Sequence, residues 1–547
     1  MKLYKISLFA VAGLMATACN DIDDIAPQGQ YLSTEQVQES NLLAPSRAEA
    51  TFAGMFSMMG QPDYLAGRDR ADDFAFIMSA ISLDAEGPDF VMPNSGYNWF
   101  SVACDYESRN ANYWNPYLRY LAPYTQLKIA NDIISSFPAD TQDSIAINKM
   151  AQCRAIRAFD YLALAPYFQY NYQIAKDKPC VPIVTPQTED FTQNPRATVE
   201  EVFKFIMDDL NYAVENLDSN RTEKTRINQT VALGLRARAN LIMGNWEAAA
   251  ADAKKAIDQA AAQGIVPASI EDVSTPAFFD IAEKNWVWGI DVTKEMLQGG
   301  NKPYMTAASW ISPFSADGYA AASQCYAMIN NLLYAKISAT DVRKGWWVDE
   351  NLHSPLLATI SWGDVTGDAI STLVIKDSKE AFLPYTNVKF GKGSGIGTDV
   401  NDSDFPLMRA EELYLIWIEG MAKGGNEGQA RTELEKFVKA YRDPSYTISS
   451  SRSLADEIWF QRRIELWGEG FSMSDVMRLQ KPVVRFHEGK ETNEPEAHKF
   501  NMANNDGWLL MRFPQTEMNT NLAIEDNIDG TQPVPGQNGA LRDGVTD

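Results

Sequence analysis

Apolar residues recur every three or four positions over three long stretches of the chain, and each stretch predicts an amphipathic helix. In "ATVEEVFKFIMDDLNYAVENL" (197–217) the spacing puts Val202, Phe203, Ile206, Leu210, Ala213, Val214 and Leu217 on one face. Thr198, followed three residues later by Glu201, forms a capping box that fixes where this helix starts. The stretches 112–137 and 147–168 carry the same period, with prolines that kink or end turns. In the first of these, Tyr113, Trp114, Tyr117, Tyr120 and Tyr124 fall at helical spacing, which assigns them to core packing.

The segment "TVALGLRARANLIMGNWEAAAADAKKAIDQA" (230–260) reads as a pair of helices. Ala237 and Gly244 lie seven apart, as do Ala249 and Ala256, so small residues let two antiparallel helices approach closely while Trp246 fills the gap beside them. This pattern resembles a tetratricopeptide repeat, whose period is about 34 residues. A second helix–turn–helix runs over 407–441 with "GGNEG" at its turn, and 456–470 is a helix stopped by Gly468 and Gly470. Between 265 and 405 the helical period fades while Gly, Pro, Ser and aromatics become frequent. Within it "NWVWGIDV" (285–292) alternates like a short strand, which makes Trp286 and Trp288 strand core. The fold class is therefore mostly α: a helical bundle with tetratricopeptide-like pairs, plus a loop-rich ligand-binding insertion (265–405) with little β. Loops held on a rigid frame are where binding residues usually sit.

The N-terminus changes the picture of where the protein works. Two lysines in the first five residues, about ten mostly apolar residues and then Ala16, Thr17 and Ala18 make a secretory signal, too short to span a bilayer. Cys19 directly after the small residues resembles a lipobox cysteine, cleaved to become N-terminal and acylated. The aspartates Asp21, Asp23 and Asp24 resemble the acidic export signal of bacterial surface lipoproteins, and a charged stretch of this kind makes a solvated tether. The expected organisation is signal peptide 1–18, acylated cysteine and tether 19–30, N-terminal helical part 31–264 and C-terminal part 265–547. A net charge of −24 with a sequence pI near 4.6 repels phosphate backbones, so no nucleic-acid partner is expected. No later segment is long and apolar enough to cross a membrane. Cys104, Cys153, Cys180 and Cys325 show neither CxxC spacing nor a zinc pattern, and one or two long-range disulfides stay open.

Catalytic signals are poor. The three histidines, His353, His487 and His498, sit in no HExxH arrangement and beside no recognisable nucleophile. "GKGSGIGTD" (391–399) lacks Ser or Thr after its Gly-Lys and precedes no apolar helix, so it reads as a loop and not a phosphate cradle. Arg462, Arg463 and Glu465 read as intramolecular ion pairs of the C-terminal bundle. No enzyme activity, cofactor or metal is expected.

Six segments in order behind the lipobox carry a family resemblance: "CRAIRAFDYLALAPYF" with "CVPIVTP", "ATVEEVFKFIMDDLNYAVENL", "INQTVALGLRARANLIMGNWEAA", "FPLMRAEELYLIWIEG", "IWFQRRIELWGEGFSMSDVMRLQ" and "FPQTEMNTN". Together they resemble the SusD/RagB family of outer-membrane nutrient-binding lipoproteins, over nearly the whole chain. The resemblance implies a helical bundle with an irregular ligand-binding half, and a TonB-dependent outer-membrane transporter (SusC-like) as partner. It also implies an outer-membrane, lipid-anchored location exposed at the cell surface.

Aromatics then point to the ligand. Trp and Tyr present a flat apolar face with a polar edge, which suits pyranose rings rimmed by hydroxyls. Tyr97 and Trp99 lie in a turn-rich stretch, with Asn98, Asp89 and Arg109 near enough in sequence to hydrogen-bond sugar hydroxyls. In the insertion Tyr304, Trp310, Tyr319, Trp346 and Trp347 fall in loop-like sequence and complete the candidate glycan platform. The reading is a protein that captures oligosaccharide or polysaccharide and hands it to a transporter. RagB-like peptide binding, a glycoside hydrolase and a protein-binding tetratricopeptide scaffold are the alternatives.

Overall fold

The structure, a computed structural model, describes residues 36, 45–66, 70–94, 99–297, 306–316, 326–374 and 382–547. Its scaffold is a run of helices laid side by side: α1 (Pro45–Ser57), α2 (Ala75–Glu86), α3 (Trp114–Ser135), α4 (Ser144–Phe168), α5 (Val199–Asn216), α6 (Gln229–Met243), α7 (Trp246–Ala262), α8 (Ala410–Lys423), α9 (Glu427–Tyr441), α10 (Leu454–Glu465), α11 (Ser472–Arg478) and α12 (Gln515–Thr520). Each of α3 to α8 packs on the next, and α8 also carries α9 and α10. Strand content is small among the described residues. Antiparallel pairs join β1 (Phe90–Val91) to β3 (Met328–Ile329) and β2 (Trp286–Ile290) to β4 (Phe405–Arg409), with one further two-residue hairpin at 361–366.

Local chemistry explains the helix ends. The Thr198 hydroxyl accepts the Glu201 N–H at 3.2 Å while the Glu201 carboxylate accepts the Thr198 N–H at 2.8 Å, the reciprocal capping box expected from the spacing. The apolar face of α5 from Val202 to Val214 is buried as its period predicts. Helices α3 and α4 run through their internal prolines, Pro123 and Pro166.

The α6–α7 hairpin also forms, with a changed division of labour among its small residues. Ala237, Ala249, Ala253 and Ala256 are fully buried. Gly244 is not a point of helix contact; it caps α6 in the left-handed region at φ +81°, where a glycine meets no Cβ penalty. The closest approach falls instead at Gly420 of α8, where an added Cβ would stand 2.7 Å from the Trp246 carbonyl and 2.9 Å from the Ala250 nitrogen. Trp246 is half-buried beside this junction, with Lys423 over its ring.

One continuous apolar core runs from Phe52 to Val545, so the parts before and after residue 264 are packed as one body. Trp286 and Trp288 are fully buried in β2. Cys104, Cys153 and Cys180 are buried free thiols, and Cys325 lies outside the described residues. The C-terminal helices are pinned by buried charge. Glu465 accepts from Arg442 at 2.8 Å, Arg409 at 3.2 Å and Arg343 at 3.3 Å. Burial raises its pKa, but the guanidiniums of Arg442, Arg409 and Arg343 outweigh that and hold it well below the usual carboxylate range. Arg462 pairs with Asp475, and Arg463 with both Asp89 and Asp543. The cluster 462–465 is structural, as its helical setting predicts.

Candidate ligand-binding face

Trp99 is the one exposed tryptophan among the described residues, 39% accessible. What holds it begins in the segment before α2. The Asp73 carboxylate accepts the N–H groups of Leu65 (2.9 Å) and Ala66 (2.6 Å), folding this segment back on itself. Burial raises the Asp73 pKa, and those two donors pull it back. Next to it, Asp72 grips Arg70 in a two-point pair, Nε and Nη2 each at 2.9 Å, which fixes the plane of the guanidinium. That guanidinium lies 4.6 Å from the Trp99 ring centroid and 5.0 Å from that of Trp114 at the start of α3. A braced cation facing two indoles holds both rings in place without covering the outer side of Trp99.

Trp310 sits beneath this face, not on it. It is fully buried, meets Phe100 edge-on at 4.7 Å between centroids, and donates its indole N–H to the Ala71 carbonyl at 2.9 Å. It thereby supports the residues flanking both Trp99 and Arg70. Trp346 and Trp347 are likewise fully buried, Trp346 donating to the Val273 carbonyl and Trp347 packing edge-on against Trp467. These three tryptophans, expected on the platform, are core because aromatic partners cover them: Phe100 against Trp310, Phe278 against Trp346 and Trp467 against Trp347.

Asp89 and Arg109 also leave the list of ligand contacts. Asp89 is buried against Arg463 at 2.6 Å, and its carbonyl accepts the Trp467 indole N–H. Arg109 is buried against Glu86 at 2.9 Å and donates to the Leu509 carbonyl. Their charges are spent inside the protein. Tyr97, Asn98, Tyr304 and Tyr319 lie outside the described residues.

Sequence reasoning missed a second feature, a cleft of about 1360 Å³ between α3, α5, residues 182–194 and α12. Of the α3 aromatics assigned to the core, only Tyr120 is buried. Trp114, Tyr117 and Tyr124 are half-buried, packed against the core on one side, and Tyr113 is 41% exposed. Tyr117 and Tyr124 line the cleft, with Tyr212 of α5 and the exposed Phe191. The available signal was chemical: a stripe of tyrosines, where a core helix would favour Leu or Phe, carries hydroxyls that each need a polar partner or water, as Tyr124 finds in the Pro182 carbonyl at 2.6 Å.

His487 and His498 are buried, and burial together with Arg485 lowers the His498 pKa to about 3, leaving a neutral ring. Among the described residues no three His, Cys, Asp or Glu side chains converge as a metal site, and no helix is long and apolar enough to cross a membrane.

Residues 71–241, which carry Trp99, Trp114 and much of the cleft wall, match a family model described as SusD-like, starch-binding and associating with the outer membrane. Residues 374–536 match the model of the SusD family itself, and the two matches together cover more than half of the chain. The chain belongs to the SusD/RagB family. A curated SusD-like protein of Bacteroides ovatus is 26% identical over 244 residues, 44% of this SusD-family chain, and the match spans 40% of that relative's length. A SusD-like carbohydrate binding protein of Bacteroides vulgatus shares the fold over 89% of this chain and 98% of its own, with a TM-score of 0.69 at 22% identity. Surface glycan-binding protein A of Bacteroides thetaiotaomicron, solved in complex with laminarihexaose, does so over 88% and 99%, with a TM-score of 0.62 at 14% identity.

Proposed function

We propose that this SusD-family chain is a non-enzymatic surface lipoprotein that captures a glycan on the Trp99 face and delivers it to a TonB-dependent outer-membrane transporter. The observation that carries the reading is an exposed indole braced by the Arg70–Asp72 pair above a buried Trp310 post. A flat apolar ring held still suits the C–H face of a pyranose, because little side-chain entropy is lost when the sugar arrives. Asp72 occupies Nε and Nη2 of Arg70, so Nη1 remains to donate to a sugar hydroxyl. The laminarihexaose bound by a protein of the same fold supports carbohydrate as the ligand class. Tyr97, Asn98, Tyr304 and Tyr319 remain candidate contacts on this reading, and Cys19 the lipid anchor.

A glycan array probed with the purified chain tests the binding step, with product analysis as the control for hydrolysis. Binding of a glycan without its cleavage is expected, and it should weaken in Trp99→Ala. A chain that binds no glycan, or that cleaves one, refutes the reading. Membrane fractionation tests the anchor: Cys19→Ala should move the protein to the soluble fraction, and a variant still membrane-bound without its transporter overturns it.

A further inference from the structure

We propose that the cleft along α3 is a second binding subsite, a track that holds the continuation of a neutral carbohydrate chain seated on the Trp99 face. The proposal rests on the glycan-binding reading above and extends it to chain length. Three observations support it.

The first is continuity. The Arg70 guanidinium joins Trp99 to Trp114, and Trp114 meets Tyr117 edge-on at 5.1 Å between centroids. Tyr117 is already in the cleft wall, and Tyr120 and Tyr124 follow it at helical spacing on α3, their rings 4.4 Å apart. At 1.5 Å per residue, the ladder from Trp114 to Tyr124 is about 15 Å long. The second is size. A cleft of about 1360 Å³ exceeds the roughly 300–1,000 Å³ of an ordinary small-molecule pocket, so it suits an extended ligand.

The third is the polar chemistry of the walls. Arg157 is already satisfied, holding Asp209 at two points and Asn131 at 2.7 Å. Arg154 is not: it stacks 4.0 Å over Tyr212, makes no ion pair with any described residue, and keeps a buried Nε without an acceptor. Tyr212 holds the Arg154 guanidinium flat by stacking, and a planar fork of donors held in this way matches adjacent hydroxyls of a sugar lying in the cleft. Lys128 and Lys204 are exposed and neutralised by Asp132 and Asp208, and Glu517 adds negative charge, so the cleft gives a polyanion no net attraction. A neutral chain of rings and hydroxyls fits.

The experiment is titration calorimetry on the full chain, using the strongest array hit as size fractions of two, four, six and eight sugars. Affinity should rise with length in the parent. Phe191→Ala, at an exposed position that folding does not need, and Arg154→Gln should abolish that rise while leaving the shortest fragments unchanged. Taking aromatic–base stacking as the guide, the loss on the eight-sugar fraction should be about fivefold to a hundredfold. Trp99→Ala should weaken every length. Binding through Trp99 with equal affinity for four and eight sugars overturns the track and leaves the functional reading standing. Variants that keep the length dependence but lose the transporter assign the cleft to that partner, which also overturns it. A chain that binds no array glycan brings down both.

Discussion

Trp99 and Trp310 should respond to the same substitution in opposite ways. Trp310→Ala empties a fully buried site, removes the edge contact to Phe100 and leaves the Ala71 carbonyl without its donor. Large-to-small changes of this kind cost about 3–5 kcal/mol, because the walls relax only partly into the cavity. Trp99 is 39% exposed, and its ring contact with Arg70 is worth about 0.5–1 kcal/mol, so Trp99→Ala should cost about 1 kcal/mol of stability. In binding the order reverses. Aromatic–base stacking, at about 1–3 kcal/mol, sets the scale of the loss. That is about a fivefold to a hundredfold rise in Kd. Scanning calorimetry should therefore show Trp310→Ala melting about 3–5 °C lower, with Trp99→Ala close to the parent. Titration with the array hit should show Trp99→Ala as the weak binder. If Trp99→Ala binds like the parent yet melts far below it, Trp99 is core and the platform lies elsewhere.

Three further outcomes follow from the packing and the buried charge. Glu465→Gln leaves Arg442, Arg409 and Arg343 around a neutral group and should destabilise by about 3–5 kcal/mol in denaturant unfolding, whereas a change below about 1 kcal/mol would mean the network is not held by charge. Gly420→Ala drives a Cβ into the α7 backbone and should cost about 1–3 kcal/mol, while Gly54→Ala, in the open on α1, should gain about 0.5–1 kcal/mol; equal melting temperatures would refute the α7–α8 contact. Burial pushes Glu494 up to about 8 from 4.5, so the folded state holds a proton that the unfolded state has released. Its contribution is complete below about pH 4.5 and is lost as pH rises through 8. Glu494→Gln should remove a slope of about 1.4 kcal/mol per pH unit from the stability profile in that window, and an unchanged profile refutes the assignment.

What the sequence determined by itself was whatever depends on neighbours along the chain. The Thr198–Glu201 box and the apolar face of α5 are set within a few residues by hydrogen-bond reach and side-chain period, and Trp286 and Trp288 are core as read, although β2 is buried along its whole length and not on alternate residues. The helical pairs were legible for the same reason. The site was not. Whether Trp99 or Trp310 faces water depends on what packs over each, and nothing near Trp310 in sequence reveals that its partners are Phe100 and Ala71. Asp89 looked available for a ligand until folding brought it to Arg463, 374 positions away. Gly420 and Gly244 are alike as letters, yet one is a helix crossing and the other a left-handed cap. The α3 tyrosines had the right period for a core stripe, and only the placement of α5 and α12 turned their outer edge into the wall of a cleft. Periodicity says which residues share a face. Burial of that face is decided by the elements that arrive from elsewhere in the chain, because a side chain leaves water only when a distant surface of matching shape covers it.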